Sequence, residues 1–143
     1  MGRALDAGIF GPVAEDLERF ETRIREAIAA DGPPLAGLMS DLFAAGGKRL
    51  RPALVLLAGR LGRISDAHFH GAAAVELTHA ATLVHDDVID NSPVRRGHPT
   101  IAAALGDAPA IVFGDYYFAK AYQQAALTAD PAVVGAVVGD DRR

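Results

Sequence analysis

The 143-residue chain is 50% hydrophobic and 22% charged, a composition that favours a folded domain over a disordered segment. Its 14 basic and 18 acidic residues nearly balance, and no Lys/Arg block could neutralise a run of phosphates, so nucleic-acid binding is not expected. The absence of cysteine excludes disulfides, thiolate metal sites and cysteine nucleophiles.

Targeting and membrane signals are also absent from the sequence. The first ten residues contain no basic stretch followed by an apolar core, so no signal peptide is predicted. Every apolar run is interrupted by charge, Gly or Pro before the roughly 20 residues that a bilayer requires. We therefore expect a soluble, cytoplasmic protein without a transmembrane segment, an expectation that the lack of cysteine fits without proving it.

Apolar residues recur at spacings of three and four along most of the chain, as in Val13, Leu17, Phe20, Ile24 and Ile28. Gly and Pro clusters separate these stretches, and no alternating run is long enough to indicate a strand. The sequence predicts an all-α fold with helices over residues 12–30, 35–43, 52–61, 66–90 and 108–128, and shorter helical segments over 101–105 and 132–138.

Two aspartates mark the end of the longest predicted helix. Asp86 and Asp90 in the stretch His85-Asp86-Asp87-Val88-Ile89-Asp90 are four residues apart, so their carboxylates lie on one face, about 6 Å apart along the axis. Mg²⁺ typically takes one or two carboxylates together with substrate phosphate oxygens, which suits this pair. A solvated acidic helix end is the alternative, although carboxylates at a helix C-terminus are unfavourable without a compensating cation.

The same helical face continues backwards to His79, about 10 Å from Asp86 along the axis. Alone, a histidine in an Ala-rich helix is more often a core or solvated residue than a ligand. We assign His85 a structural role.

Basic residues cluster in Gly46-Gly47-Lys48-Arg49-Leu50-Arg51-Pro52, just before a predicted helix start. Lys48 and Arg51 are three residues apart and can turn to one side, where the arginine fork and the positive helix end suit phosphate oxygens. A solvated basic loop is the alternative. Arg95 and Arg96 form a second cationic pair after the aspartates. An acidic site between two cationic sites is not the pattern expected of charged side chains that are merely solvated at the surface.

In this order and spacing, GGKRLRP (46–52), HAATLVHDDVID (79–90) and RRG (95–97) resemble the trans-polyprenyl diphosphate synthase family. Gly114-Asp115 also resembles a family segment. The resemblance implies a helical bundle of the isoprenoid synthase type. Residues 1–143 would be a single incomplete domain, roughly its N-terminal half.

The resemblance also implies roles for individual residues. Lys48, Arg51, His79 and Arg96 would bind the diphosphate of isopentenyl diphosphate, and Arg95 would contact the allylic prenyl diphosphate. Asp86 and Asp90 would hold Mg²⁺ against that allylic diphosphate, with Asp87 in a supporting catalytic role. The implied full-length form is a homodimer.

The chain departs from the family in length and in lacking a second aspartate-rich motif, because Asp140-Asp141 is too early and is interpreted as accidental. We therefore expect the 143-residue chain to be inactive alone, and its ending to reflect a cut or a frame change. A non-catalytic diphosphate-binding protein, or a regulatory subunit that pairs with a complete synthase, is the alternative. The basic motif tells against terpene cyclases, which need no isopentenyl site.

Product length is the last property that the sequence addresses. In the family, aromatic residues just before the first aspartate motif stop the growing chain, and here Ala81 and Thr82 are both small. The motif also lacks the insertion that marks bacterial farnesyl-making members. These features favour a long-chain product, unless another helix closes the tunnel.

Overall fold

The computed structural model describes residues 7–45 and 47–139 and is built almost wholly from helices. The elements are α1 (Ala7–Phe10), a 3₁₀ turn (Gly11–Val13), α2 (Ala14–Ala29), α3 (Leu35–Ala44), α4 (Leu50–Gly59), α5 (Asp66–Ile89), β1 (Val94–Arg95), β2 (His98–Pro99), α6 (Ile101–Leu105), α7 (Asp107–Leu127) and α8 (Pro131–Val138). The predicted all-α fold class is confirmed. Gly46 and the Asp140-Asp141 pair lie outside the described residues.

The predicted helices are observed with small shifts at their ends. The sequence placed residues 12 and 13 in the first long helix, whereas they form a separate 3₁₀ turn before α2. The α4 helix begins at Leu50, two residues earlier than predicted, because Pro52 fits the first turn of a helix, where no backbone N–H is required.

The segment between α5 and α6 contains two short strands that no alternating pattern in the sequence indicated. Val94–Arg95 and His98–Pro99 pair as a short antiparallel hairpin. Its turn residues, Arg96 and Gly97, both have positive φ, 50° and 79°, as the tight turns of hairpins require. Strands of two residues are too short to produce an alternating pattern, so the sequence contains no periodic signal for them.

The core forms around α5 and α7, which pack against each other along most of their length. They are antiparallel, since His70 near the start of α5 bonds to Gln124 near the end of α7, and His85 contacts Ile111. Small side chains allow the close approach, since Ala74 and Ala81 of α5 and Ala110, Ala121 and Ala125 of α7 are all fully buried and lie, by helical spacing, on the faces that carry these contacts. This packing fixes the position of α5, which carries His79, Asp86 and Asp90.

Polar side chains attach the outer helices to this pair. Asp31, in the turn after α2, accepts hydrogen bonds from Tyr116, at 2.7 Å, and Tyr117, at 2.9 Å, and pairs with Lys120, all on α7. Arg60 makes two 2.8 Å bonds to the buried Asp16 carboxylate and so ties the end of α4 to α2. No described helix is both long and apolar enough to cross a bilayer.

Gly114 of α7 gives the sharpest test of this packing. A Cβ atom at this position would overlap the Nε2 and Cδ2 atoms of the His85 ring. We expect Gly114→Ala to lower the free energy of unfolding by about 1–3 kcal/mol, because the ring can move only by displacing its neighbours. Chemical denaturation followed by circular dichroism measures this change.

Gly37→Ala is the matched control, since Gly37 lies inside α3 and no atom lies within 4 Å of the position that a Cβ would occupy there. This variant should be more stable than the wild type, by about 0.5–1 kcal/mol, because alanine has the higher helix propensity. Equal effects of the two substitutions would contradict the packing described for α5 and α7.

Candidate diphosphate and metal site

The three aspartates at the end of α5 differ in their exposure to solvent. Asp87 is 5% exposed, whereas Asp86 and Asp90 are exposed. Within the described ranges, 7–45 and 47–139, neither the Asp86 nor the Asp90 carboxylate forms a hydrogen bond or an ion pair. These two carboxylates are therefore available to an external cation, and Asp87 is not.

Asp87 is paired with Arg95 of β1. The Arg95 guanidinium donates from Nη2 at 2.8 Å and from Nε at 3.1 Å, so both carboxylate oxygens are engaged. This hydrogen bond, and the charges of Asp87, Asp86 and Asp90, raise the pKa of Arg95 despite its partial burial. The pairing fixes the hairpin to the end of α5 and leaves Asp87 as a support for the hairpin.

His85, which immediately precedes Asp86 in the sequence, packs against α7. Its Nε2 lies 3.0 Å from the Ile111 carbonyl and 3.4 Å from the Asp115 carboxylate, and its ring lies 5.3 Å from that of Phe118. Since both polar neighbours are acceptors, the Nε2 atom carries the proton. The structural role predicted for His85 agrees with these contacts.

A cavity of about 500 Å³ lies between α4, α5 and α8, and Arg51, His79 and Thr82 form part of its lining. The remaining lining residues are mostly apolar: Leu54, Val55, Val75, Thr78, Ala136 and Val137. Thr82 donates its hydroxyl to the His79 carbonyl at 2.7 Å. Two of the predicted diphosphate ligands thus share one opening with a predicted chain-length residue.

The aspartates do not line this cavity, although the sequence predicted that Asp86 and Asp90 share a helical face with His79. The α5 residues in its wall end at Thr82, one turn before Asp86, and the aspartates extend beyond the part that α4 and α8 cover. Ala81 likewise does not line it, because it is fully buried in the core.

The charges of the site still surround His79. Burial, and then the charges of Arg51, Arg96 and Arg95, lower the pKa of His79, while Asp86 acts in the opposite direction. Arg96 also approaches the basic loop, since its Nη1 would lie 3.8 Å from a Cβ atom at Gly47. The side chains of Lys48, Arg51 and Arg96 have no acidic partner among the residues that the structure describes.

The metal-binding capacity of the described residues is limited. No group of three or more His, Cys, Asp or Glu side chains is placed to hold a metal ion within residues 7–45 and 47–139. The exposed Asp86 and Asp90 pair fits an ion that keeps most of its coordination for water and phosphate oxygens, as Mg²⁺ does.

A second cavity, of about 490 Å³, lies next to Asp87. Asp87 and Arg95 line it with residues of α3, β2 and α6, among them Leu38, Asp41, Leu42, His98 and Ile101. Its two best-placed charged groups, Asp87 and Arg95, bond to each other, so they are not free to bind a ligand there.

The sequence interpretation missed Arg49 and Glu76. Arg49 was counted among three loop cations, but its side chain turns inward to ion pairs with Glu21 and Glu76. Glu76 is 7% exposed, and burial raises its pKa although Arg49 and Arg51 act to lower it. The sequence did contain a signal, because Glu76 is a single carboxylate within an Ala-rich apolar stretch. A charge buried there requires a partner of opposite charge, which predicts an inward-facing cation.

Comparison with known proteins identifies the family of the chain. The Polyprenyl synthetase family model matches residues 33–138. The heptaprenyl diphosphate synthase component 2 of Geobacillus stearothermophilus is 42% identical over 120 residues, covering 83% of this chain and 38% of the relative. The chain thus spans well under half the length of this relative.

Solved structures give the same result. The decaprenyl diphosphate synthase of Rhodobacter capsulatus matches with a TM-score of 0.84 at 38% identity, over 92% of this chain and 41% of that one. A Caulobacter crescentus polyprenyl synthase complexed with calcium and isoprenyl diphosphate matches with a TM-score of 0.80 at 35% identity, also over 92% and 41%. The family match and the shared fold together show that this chain belongs to the polyprenyl synthetase family.

Proposed function

We propose that the chain carries the diphosphate-binding part of a prenyltransferase that condenses isopentenyl diphosphate with an allylic prenyl diphosphate. The observation that carries this proposal is the presence of two unpaired cations, Arg51 and Arg96, near His79, together with two exposed carboxylates on the same helix as His79. Cations without acidic partners at an apolar cavity suit a substrate with a charged head and a hydrocarbon tail.

Lys48, Arg51, His79 and Arg96 would bind the diphosphate of isopentenyl diphosphate. Arg51 and Arg96 can each donate two parallel hydrogen bonds to phosphate oxygens, and Lys48 adds a point charge. The apolar wall of the cavity would receive the five-carbon group. The Arg51 side chain lies in the first turn of α4, so the positive end of this helix also faces the anion.

Asp86 and Asp90 would hold Mg²⁺ against the allylic diphosphate. When bound, the ion stabilises the negative charge that develops on the diphosphate as it leaves. Supporting this assignment, the similar Caulobacter crescentus synthase was complexed with calcium and isoprenyl diphosphate. Arg95 would contact the same diphosphate only after releasing part of its hold on Asp87.

Within the family, this chain would bind diphosphate without elongating a product by itself. Its sequence supplies one aspartate-rich motif, whereas the reaction in family members uses two. A regulatory role beside a complete synthase is the second candidate, and the name of the Geobacillus relative, a component 2, is the observation that favours it. Both candidates require the diphosphate site.

Removal of one exposed carboxylate tests the metal assignment. We expect Asp86→Asn to weaken binding of Mg²⁺–diphosphate by about tenfold, because the ion loses one of its two protein ligands. Isothermal titration calorimetry measures the dissociation constant. The wild-type 143-residue chain, mixed with both prenyl substrates and Mg²⁺, should give no elongated product by chromatography.

Asp107→Asn is the matched control, since Asp107 is an exposed carboxylate in the first turn of α7 and its loss changes the net charge equally. It should leave Mg²⁺–diphosphate binding unchanged. If both variants bind Mg²⁺–diphosphate as the wild type does, the assignment of Asp86 as a metal ligand is wrong. Elongation of a prenyl substrate by the wild-type chain, if it depends on Asp86, would refute the expected inactivity.

His79 gives a prediction about pH. Its pKa lies below the ordinary value, so the ring is neutral at neutral pH, and a bound anion would raise this pKa again. Binding of metal-free diphosphate should therefore take up a proton at His79 as the pH falls from about 8 to about 6. The affinity advantage of the wild type over His79→Gln should grow over the same range.

Calorimetry in buffers of different ionisation enthalpy measures this proton uptake. The diphosphate's own titration is common to the wild type and the variant and cancels in the comparison. An affinity ratio that stays constant with pH would show that His79 does not respond to the bound anion.

The small Ala81 side chain was expected to leave the path of the growing hydrocarbon chain open, and in the structure it is fully buried. We propose a long-chain product, supported by the absence of an aromatic ring at positions 81 and 82 and by the heptaprenyl and decaprenyl synthases among the relatives. In a full-length enzyme containing this segment, Ala81→Phe should shorten the product by several isoprene units.

Reversed-phase chromatography of the dephosphorylated products measures their length. Ala73→Phe, two turns earlier on the same helix at a partly buried position, serves as the control for a bulky substitution in α5. Unchanged product length in the Ala81 variant would place the floor of the channel on another helix.

A further inference from the structure

The three cations of the basic loop do not share one environment. Lys48 and Arg51 are exposed, whereas the Arg49 side chain is only 16% exposed. Residue order alone would make all three available to an anion. The inward turn of Arg49 separates the two free cations that flank it.

Arg49 contacts three helices. Its Nε forms an ion pair with Glu21 of α2, and its Nη2 donates to the Phe43 carbonyl of α3 at 3.1 Å. The guanidinium carbon also lies 4.7 Å from the centre of the Phe43 ring. From α5, Glu76 approaches to 3.7 Å from Nη1. The side chain therefore fixes the loop to α2, α3 and α5 together.

The backbone of Arg49 requires such contacts. Its φ of 51° and ψ of 34° are left-handed, which costs a non-glycine residue about 1–2 kcal/mol by steric contact of its Cβ. This conformation begins α4, since the Arg49 carbonyl accepts the first helical bond from Ala53 at 3.0 Å. The side-chain contacts thus maintain the turn that directs Lys48 and Arg51 outward.

Glu76 has no evident use as a neighbour of an anion. Its buried carboxylate interacts with the charge of Arg51 and lies three residues before His79 on α5, so a negative charge there would oppose a bound diphosphate. The contact of Glu76 with Arg49 indicates a structural role for this carboxylate. Removing either partner of a partly buried ion pair leaves the other charge without a partner.

We propose that Arg49 and Glu76 are positioning residues, which bind no substrate but hold the basic loop so that Lys48 and Arg51 converge on one diphosphate. This proposal rests on the proposed function of that loop. It makes a prediction opposite in sign to simple electrostatics. Removing a negative charge beside an anion site would normally tighten binding, whereas removing the charge of Glu76 should weaken it.

The experiment measures binding of inorganic diphosphate to the 143-residue chain by calorimetry, with a chelator present so that the aspartates contribute no metal-mediated binding. We expect Glu76→Gln to raise the dissociation constant about fivefold, and Arg49→Lys, which keeps the charge but loses the planar fork, about tenfold. Glu26→Gln is the control, because Glu26 is exposed on α2 and its loss changes the net charge as Glu76→Gln does.

Circular dichroism confirms that each variant keeps its helix content. If Glu76→Gln does not fold, Glu21→Gln takes its place, because the Glu21 side chain is 26% exposed and its loss perturbs the core less. Weaker binding by these variants, with Glu26→Gln equal to the wild type, supports the proposal.

Tighter or unchanged binding by Glu76→Gln, or wild-type affinity in Arg49→Lys, overturns the positioning role and leaves the loop's proposed function intact. Failure of the wild type itself to bind diphosphate overturns that function, and the positioning role with it. The two failures are therefore distinguishable.

Discussion

The close antiparallel packing of α5 against α7 is the constraint on which the rest of the structure depends. Alanine and glycine at the contact bring the two backbones near enough for the His85 ring to occupy the space that a side chain at position 114 would need. A larger residue there would push the end of α5 away from α7. Since α5 carries His79, Asp86 and Asp90, the orientation of the whole candidate site follows from this contact.

The magnitudes of the charge interactions explain why two adjacent aspartates differ. Carboxylates four residues apart at a helix C-terminus lose only about 0.3–1 kcal/mol to the helix dipole and a few tenths to each other, so Asp86 and Asp90 can remain exposed and unpaired. A buried carboxylate without a partner would cost about 3–5 kcal/mol. Asp87, which is buried, is therefore paired with Arg95, and the partner comes from a hairpin too short to be stable alone.

Helical periodicity predicted the fold well where a helix buries one face, as α2 does. The positions of Phe20, Ile24 and Ile28 in the core are those that the spacing indicated. Periodicity could not predict the hairpin, whose strands are too short to repeat, or the left-handed turn at Arg49, which tertiary contacts impose on a residue with no local preference for it. For that reason the sequence identified the cationic loop but not which of its three cations faces inward.

An acidic site and a cationic site can lie close together and stay open to ligands only if their side chains do not form ion pairs with each other. Exposed Lys48, Arg51 and Arg96 would otherwise be natural partners for exposed Asp86 and Asp90. Arg95 interacts with both groups, since its charge acts to lower the pKa of His79 and its own pKa is raised by Asp87 first and by Asp86 and Asp90 after it. Because its guanidinium is already held by Asp87, Arg95 forms no ion pair with Asp86 or Asp90 among the described residues. The Asp87–Arg95 pair thus anchors the hairpin and leaves the two exposed carboxylates open to an external cation.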